Sequence, residues 1–268
     1  MSRLNKTFKT LRREKRTGLV TYVTAGDPTV ARTESILRTL DASGADVLEI
    51  GVPFSDPLAD GPVIQRASER ALAAGSTLTS TLTTLEKMRS SLEAPIVIFT
   101  YVNPILSLGL DEFGARAAAA GIDGVLVLDL PVEEGKSFFD TMSKVEIDTI
   151  GLISPTTTTI RMKETVKCSR GFLYGISRLG VTGVRTELSQ DAEALVQRIR
   201  TVSDMPLALG FGISSPEHIR EVGRWADAAV VGSGLVSVIA EFGESGDLED
   251  RVGRYISWLI SDGFQKRT

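Results

Sequence analysis

"VLEIGVPFSDPLADGPVIQRA", residues 47–67, contains a complete structural unit. An apolar run closes on Gly51. A turn carrying Pro53, Asp56, Pro57, Asp60 and Gly61 follows, and "PVIQRASERALAAG" then spaces its apolar residues like one face of a helix. The order is strand, loop, helix. Glu49 is the anomaly, because it stands among Val47, Leu48, Ile50 and Val52. An ionised carboxylate left unpaired in such a core costs several kcal/mol, or it raises its pKa and takes up a proton. Either a partner compensates Glu49 or the chemistry requires it.

The same unit recurs along the chain. Short apolar runs begin at residues 18 ("GLVTYVT"), 46 ("DVLEIGV"), 95 ("PIVIFTYV"), 124 ("GVLVLDL"), 148 ("DTIGLIS"), 171 ("GFLYGIS"), 206 ("PLALGFG") and 228 ("AAVVGSG"). Helical patterns such as "ARTESILRTLDASG" and "DEFGARAAAAG" lie between them. Strands alternating with helices imply parallel βα units, and runs apolar on both faces imply burial on both faces. The fold class is therefore α/β, and eight units with no long linker predict one (β/α)8 TIM barrel, a single domain over residues 1–268. An open doubly wound sheet is the competing fold, but no G-x-G-x-x-G follows the first strand. Leu4, Phe8 and Leu11 share one helical face, so residues 1–17 are expected to form a helix closing the bottom of the barrel; a targeting segment is the alternative.

Composition narrows the function. A net charge of −4 gives no sign of a nucleic-acid or membrane surface, and no apolar run approaches the ~20 residues of a membrane span. The lone Cys168 fits a reducing compartment. With one histidine and one cysteine, no His- or Cys-based metal site is expected. None of the nine lysines sits at a strand C-terminal end, which disfavours a Schiff-base mechanism. His218 reads as a solvated residue.

In such barrels chemistry sits where strands end and βα loops begin. Strand alternation puts Val47, Glu49 and Gly51 on the inner face, with Gly51 leaving room for a ligand, and Leu48, Ile50 and Val52 on the outer face. Asp60 lies eleven residues beyond Glu49. It reads either as a second acid folded over the mouth or as a turn or N-cap aspartate of the next helix. Asp129, in "GVLVLDLP", is another inward candidate, and Asp27, in "AGDP", reads as a turn residue. "LGFGISSPEHIREV" and "VVGSGLVSVIAEF" each place glycines before a helix start, the pattern of a phosphate cradle. "SRLGVTGVRTELSQ", with Arg178, Gly180, Thr182 and Gly183, reads as a lid. The strand beginnings show nothing comparable.

"LEIGVPFSDPLADGPVIQRASERAL" strongly resembles the signature of the tryptophan synthase alpha chain family. "TAGDP", "YVNPIL", "DLPVEE", "GFLYGISRLGVTG" and "LGFGISSPEHI" match further family segments in order, so the resemblance covers essentially the whole chain. It implies a cytoplasmic lyase of tryptophan biosynthesis that cleaves indole-3-glycerol phosphate to indole and glyceraldehyde 3-phosphate. It also implies that Glu49 and Asp60 are the catalytic carboxylates, with Tyr174 assisting. Phosphate contacts map to Gly183, Gly212, Gly232 and Ser233, with Phe211 adjacent. Tyr22, Phe99, Tyr101 and Asp129 line the indole pocket, and Arg178 and Thr182 belong to the lid. The implied partner is a beta chain in an α2β2 assembly, docking near Pro53, Asp56 and Asn103; pyridoxal phosphate belongs to that partner, leaving this chain without a cofactor or metal. The chain departs from the family at Gly175, Ile176 and Gly234, the last standing where Ala is common. A stand-alone lyase, another phosphosugar barrel and a non-catalytic activating subunit remain alternatives.

Overall fold

The first apolar run forms β1 (Gly18–Thr24), with every residue buried. The remaining strands are β2 (Val47–Gly51), β3 (Ile96–Thr100), β4 (Gly124–Val127), β5 (Asp148–Thr149), β6 (Gly151–Ile153), β7 (Leu173–Ile176), β8 (Leu207–Gly210) and β9 (Ala228–Val231). The computed structural model describes residues 1–176, 190–210 and 212–263. All paired strands are parallel, and their order β5-β4-β3-β2-β1-β9-β8-β7-β6 is a barrel whose two ends meet at Ile150. The expected fifth strand is thus divided. Its first part pairs with β4 and its second with β7, because the chain transfers its bonds from one neighbour to the other at Ile150, whose N–H still donates to Val125.

The strands alternate with α2 (Val30–Ala42), α3 (Pro62–Ala73), α4 (Leu78–Met88), α5 (Val102–Leu108), α6 (Leu110–Ala119), α7 (Lys136–Lys144), α8 (Thr159–Cys168), α9 (Gln190–Arg200), α10 (Pro216–Val222) and α11 (Ser233–Phe242), and α12 (Leu248–Gly263) ends the series. Among the described residues no helix is long and apolar enough to cross a membrane. Helix α5 follows β3 after a single residue, Tyr101, so most of "YVNP" is helical. Pro104 falls in the first helical turn, where a missing N–H costs nothing. Asn103, expected on a loop, is therefore helical.

The pleat divides the apolar side chains between two cores. Leu48, Ile50, Ile96 and Ile98 pack outwards against the helices, while Val20, Val47, Val97, Leu126 and Val230 fill the barrel. Each fully buried side chain of this size contributes roughly 1.5–3 kcal/mol. Helix α1 (Arg3–Glu14) inserts Leu4, Phe8 and Leu11 into the inner core, and Phe8 lies 5.2 Å from Phe172, just before β7.

Carboxylates also occupy the strand beginnings, which the sequence reading did not foresee. Asp46, Asp123 and Asp227 each precede a strand and reach sideways to a backbone N–H of the neighbouring one. They accept from Leu19 at 2.8 Å, Ile96 at 2.9 Å and Leu207 at 2.9 Å. Arg16 pairs with Asp46 at 2.6 Å, Arg12 and Arg200 converge on Asp227 at 3.0 and 2.7 Å, and Ser2 donates to Asp148 at 2.5 Å. The partners are remote in sequence, so no local spacing announces them.

Candidate active site

Strand β2 sets Glu49 in register with Tyr22 on β1 and Val97 on β3. Glu49 is 1% exposed, and neither carboxyl oxygen has a hydrogen-bond partner among the described residues. Burial, and then the negative field of Asp60, push it up to about 8. Asp60 does not cap α3: Gly61 holds the N-cap position and Pro62 the first helical one. Its carboxylate instead accepts from the Tyr101 hydroxyl at 3.0 Å, and the same hydroxyl accepts from Ala59 N–H at 2.9 Å. Burial lifts Asp60 to about 6 against the opposing pull of the Tyr101 bond. At neutral pH, therefore, Glu49 keeps its proton and Asp60 has lost its own. Two carboxyl groups held in different protonation states form an acid–base pair.

Aromatic residues surround the pair. Tyr22 and Phe99 meet edge to face at 5.1 Å, and Phe54 leans on Tyr101 at 5.0 Å. Tyr174 is buried, and the fields of Glu49 and Asp60 add to burial in raising its phenol well above the ordinary value. The room that Gly51 was expected to leave for a ligand is filled by Tyr22, whose hydroxyl stands where a side chain at 51 would begin. The far end of that ring system, Tyr22 Cβ, lies 3.6 Å from the position a Cβ on Gly232 would take. Tyr22 thus spans the mouth from the end of β9 to the end of β2.

The two expected phosphate loops differ. After β8, Gly212 is exposed, at φ 68°, with open space around it. Its helix α10 caps itself: Ser215 accepts from His218 N–H, and His218 Nδ1 accepts from Ser214 N–H at 3.3 Å. His218 is thus a half-buried loop tie, not a solvated side chain. After β9, Gly232 caps α11 without any side-chain bond, and Ser233 is exposed beside it. The first N–H groups of α11 have no acceptor within the helix, which is the arrangement that attracts an anion. Arg178, Thr182, Gly183 and Phe211 lie outside the described residues.

Two aspartates depart from the sequence reading. Asp129 does not turn into the barrel. It lies beyond β4, is exposed, and accepts from Val102 N–H at 2.7 Å, capping α5 from outside. It borders a cavity of about 380 Å³ between α7 and α8 whose lining includes neither Glu49 nor Asp60. Asp27 is more than a turn residue, since its buried carboxylate takes both Nε and Nη2 of Arg70 on α3 at 2.7 and 2.9 Å.

A parallel barrel with a dry carboxyl group below its mouth, a second carboxylate facing it and an uncapped helix across from both belongs to the acid–base barrel enzymes. Comparison with known proteins identifies the branch. A family profile described as "Tryptophan synthase alpha chain" matches residues 8–256. The tryptophan synthase alpha chain of Solibacter usitatus is 50% identical over 249 residues, 93% of each chain, and that of Geobacter sulfurreducens is 44% identical over 97% of this chain and 98% of its own. Among solved structures, tryptophan synthase subunit alpha from Legionella pneumophila superposes with a TM-score of 0.90 at 37% identity, covering 98% of both chains. Tryptophan synthase from Mycobacterium tuberculosis gives a TM-score of 0.90 at 36% identity over 100% of this chain and 99% of that one. The chain belongs to the tryptophan synthase alpha chain family.

Proposed function

We propose that this chain is the lyase that cleaves indole-3-glycerol phosphate to indole and glyceraldehyde 3-phosphate, with Glu49 and Asp60 dividing the proton work. One observation carries the reading: Glu49 is buried with no hydrogen-bond partner among the described residues, and burial pushes its carboxyl up to about 8 against about 6 for Asp60. Indole is a poor carbon leaving group until its C3 is protonated. Glu49 delivers that proton, and Asp60 stabilises the positive charge that then develops at the ring N–H. The carboxylate left on Glu49 takes the proton of the adjacent side-chain hydroxyl as the bond from C3 to the side chain breaks. Its electron pair returns to the ring, and the hydroxyl carbon becomes the aldehyde. Tyr174, in the field of Glu49, orients it, and Tyr22 and Phe99 wall the flat ring.

The phosphate sits on α11, at Gly232 and Ser233, with Gly212 opposite; Gly183 and Phe211 complete the cradle, and Arg178 and Thr182 serve the lid. The residues of this chain carry the reaction without an organic cofactor or metal, and pyridoxal phosphate belongs to a beta-chain partner in an α2β2 assembly. The docking face includes Asp56, Leu58, which is 93% exposed, and Leu106 on α5, which is 62% exposed. Helix α1 and the barrel act as one domain, and the setting is the cytoplasm. The test is turnover of indole-3-glycerol phosphate with and without a beta chain. Indole and glyceraldehyde 3-phosphate should appear in equal amounts, and kcat/KM should follow ionisations near 6 and 8 in the free chain. No release of indole under either condition would overturn the reading.

A further inference from the structure

Three of the four tyrosines place a hydroxyl where a glycine lacks its Cβ. Tyr22 does so at Gly51 and Tyr174 at Gly210, both beside the carboxylates. The third, Tyr255 on α12, is far from them in sequence. Its hydroxyl occupies the space a Cβ on Gly234 would need, with Ser214 Cβ on another side of that space at 3.4 Å. Gly234 is the second residue of α11, and Ser214 belongs to the loop after β8, so the phenol oxygen and that loop border the same space beside the first turn of α11. The oxygen is buried and has no hydrogen-bond partner among the described residues, an arrangement that is costly to keep. Gly234 has no side chain to compete for this space, and the tyrosine fills it.

We propose that Tyr255 is a positioning residue for the phosphate end of the substrate, its hydroxyl standing in for the missing Cβ of Gly234 and holding the first turn of α11 against the loop after β8. This rests on the reading that α11 receives the phosphate. The pair predicts its own rescue. In Gly234→Ala the new methyl collides with the phenol oxygen, and either the Tyr255 ring or the first turn of α11 must shift. In the double variant with Tyr255→Phe the methyl would lie 3.5 Å from the ring carbon Cζ, an ordinary contact.

The experiment measures KM for indole-3-glycerol phosphate, inhibition by inorganic phosphate and binding of indole in the full chain. Gly234→Ala should raise KM and weaken phosphate inhibition by about tenfold with kcat and indole binding nearly kept, as a phenol held in place passes the clash to the turn. The double variant should return both to within about threefold of wild type. A Gly234→Ala chain with unaltered phosphate affinity overturns the pair, and so does a double variant that stays impaired or a loss of indole binding in step with phosphate. Should Gly234→Ala alone not fold, a folded double variant with near-wild-type phosphate affinity upholds the pair, and an unfolded one overturns it. Failure of the wild-type chain to respond to phosphate overturns instead the reading on which the pair rests.

Discussion

The two ends of the barrel bury carboxylates in opposite ways. At the base, Asp227 is 4% exposed and receives Arg12, Arg200 and the Leu207 N–H. Burial alone would raise it, but the Arg12 and Leu207 bonds and the fields of both guanidiniums outweigh burial and hold it below its ordinary value. At the mouth, Glu49 is equally buried and receives no donor among the described residues, so burial prevails and the carboxyl retains its proton past neutrality. Depth is the same, and the number of donors differs. A carboxylate surrounded by donors is fixed in one charge state and serves the fold. One left without them is free to exchange a proton.

The strongest way to break this contrast is Glu49→Gln. Turnover should drop by about 10²–10⁴-fold, followed as indole release, and near-normal release would abolish the contrast. The same variant sharpens it in a melt. The folded chain holds the Glu49 proton at about 8 against the ordinary 4.5, so wild type loses stability as pH climbs from 4.5 towards 8. Gln escapes this penalty, and its thermal midpoint should exceed the wild-type value at pH 8 and converge with it near pH 4.

Asp227→Asn should do the reverse. Breaking the buried network should cost about 3 kcal/mol of stability at neutral pH, read by urea unfolding, with kcat of the folded enzyme kept. Because Asp227 titrates below its ordinary 3.8, its contribution is present above that value and lost as pH falls through the lowered one; the gap between variant and wild type should close in acid. Tyr101→Phe removes the only side-chain donor to Asp60 among the described residues. Asp60 should then titrate above its present value of about 6, and kcat at pH 7 should decrease roughly tenfold as the acid limb of the profile moves upward. An unmoved limb would mean the bond does not tune Asp60. The smallest effect belongs to Asp129→Ala, where loss of the cap on Val102 should cost about 1 kcal/mol in urea and leave kcat unchanged.

Local pattern made much of this legible. The run at 18 coincides with β1 from Gly18 to Thr24, because β-branched residues apolar on both faces suit only a buried strand. Glu49 stood out because a single charge interrupts such a run. What stayed hidden depends on partners distant along the chain. Arg12 meets Asp227 across 215 residues and Arg70 meets Asp27 across 43, spacings that no periodicity encodes. Helix α5 carries a proline at its third residue, which reads as a break when the helix start is not known. The division of the fifth strand depends on a change of hydrogen-bond neighbour, which leaves no mark in composition. Asp129 follows the outward face of β4, where Val125 and Val127 pack against the helices, so nearness to a strand end does not by itself carry a side chain inward.

Tyr22 is rigid from its Cβ beside Gly232 to its hydroxyl at Gly51. A ring has no rotamers along its length, so it fills the space between the end of β9 and the end of β2 with one fixed span. Under the proposed reaction it acts as a yardstick: an analogue longer or shorter by one carbon between the bicycle and the phosphoryl group must release one anchor to keep the other, and should bind as a competitor without being cut.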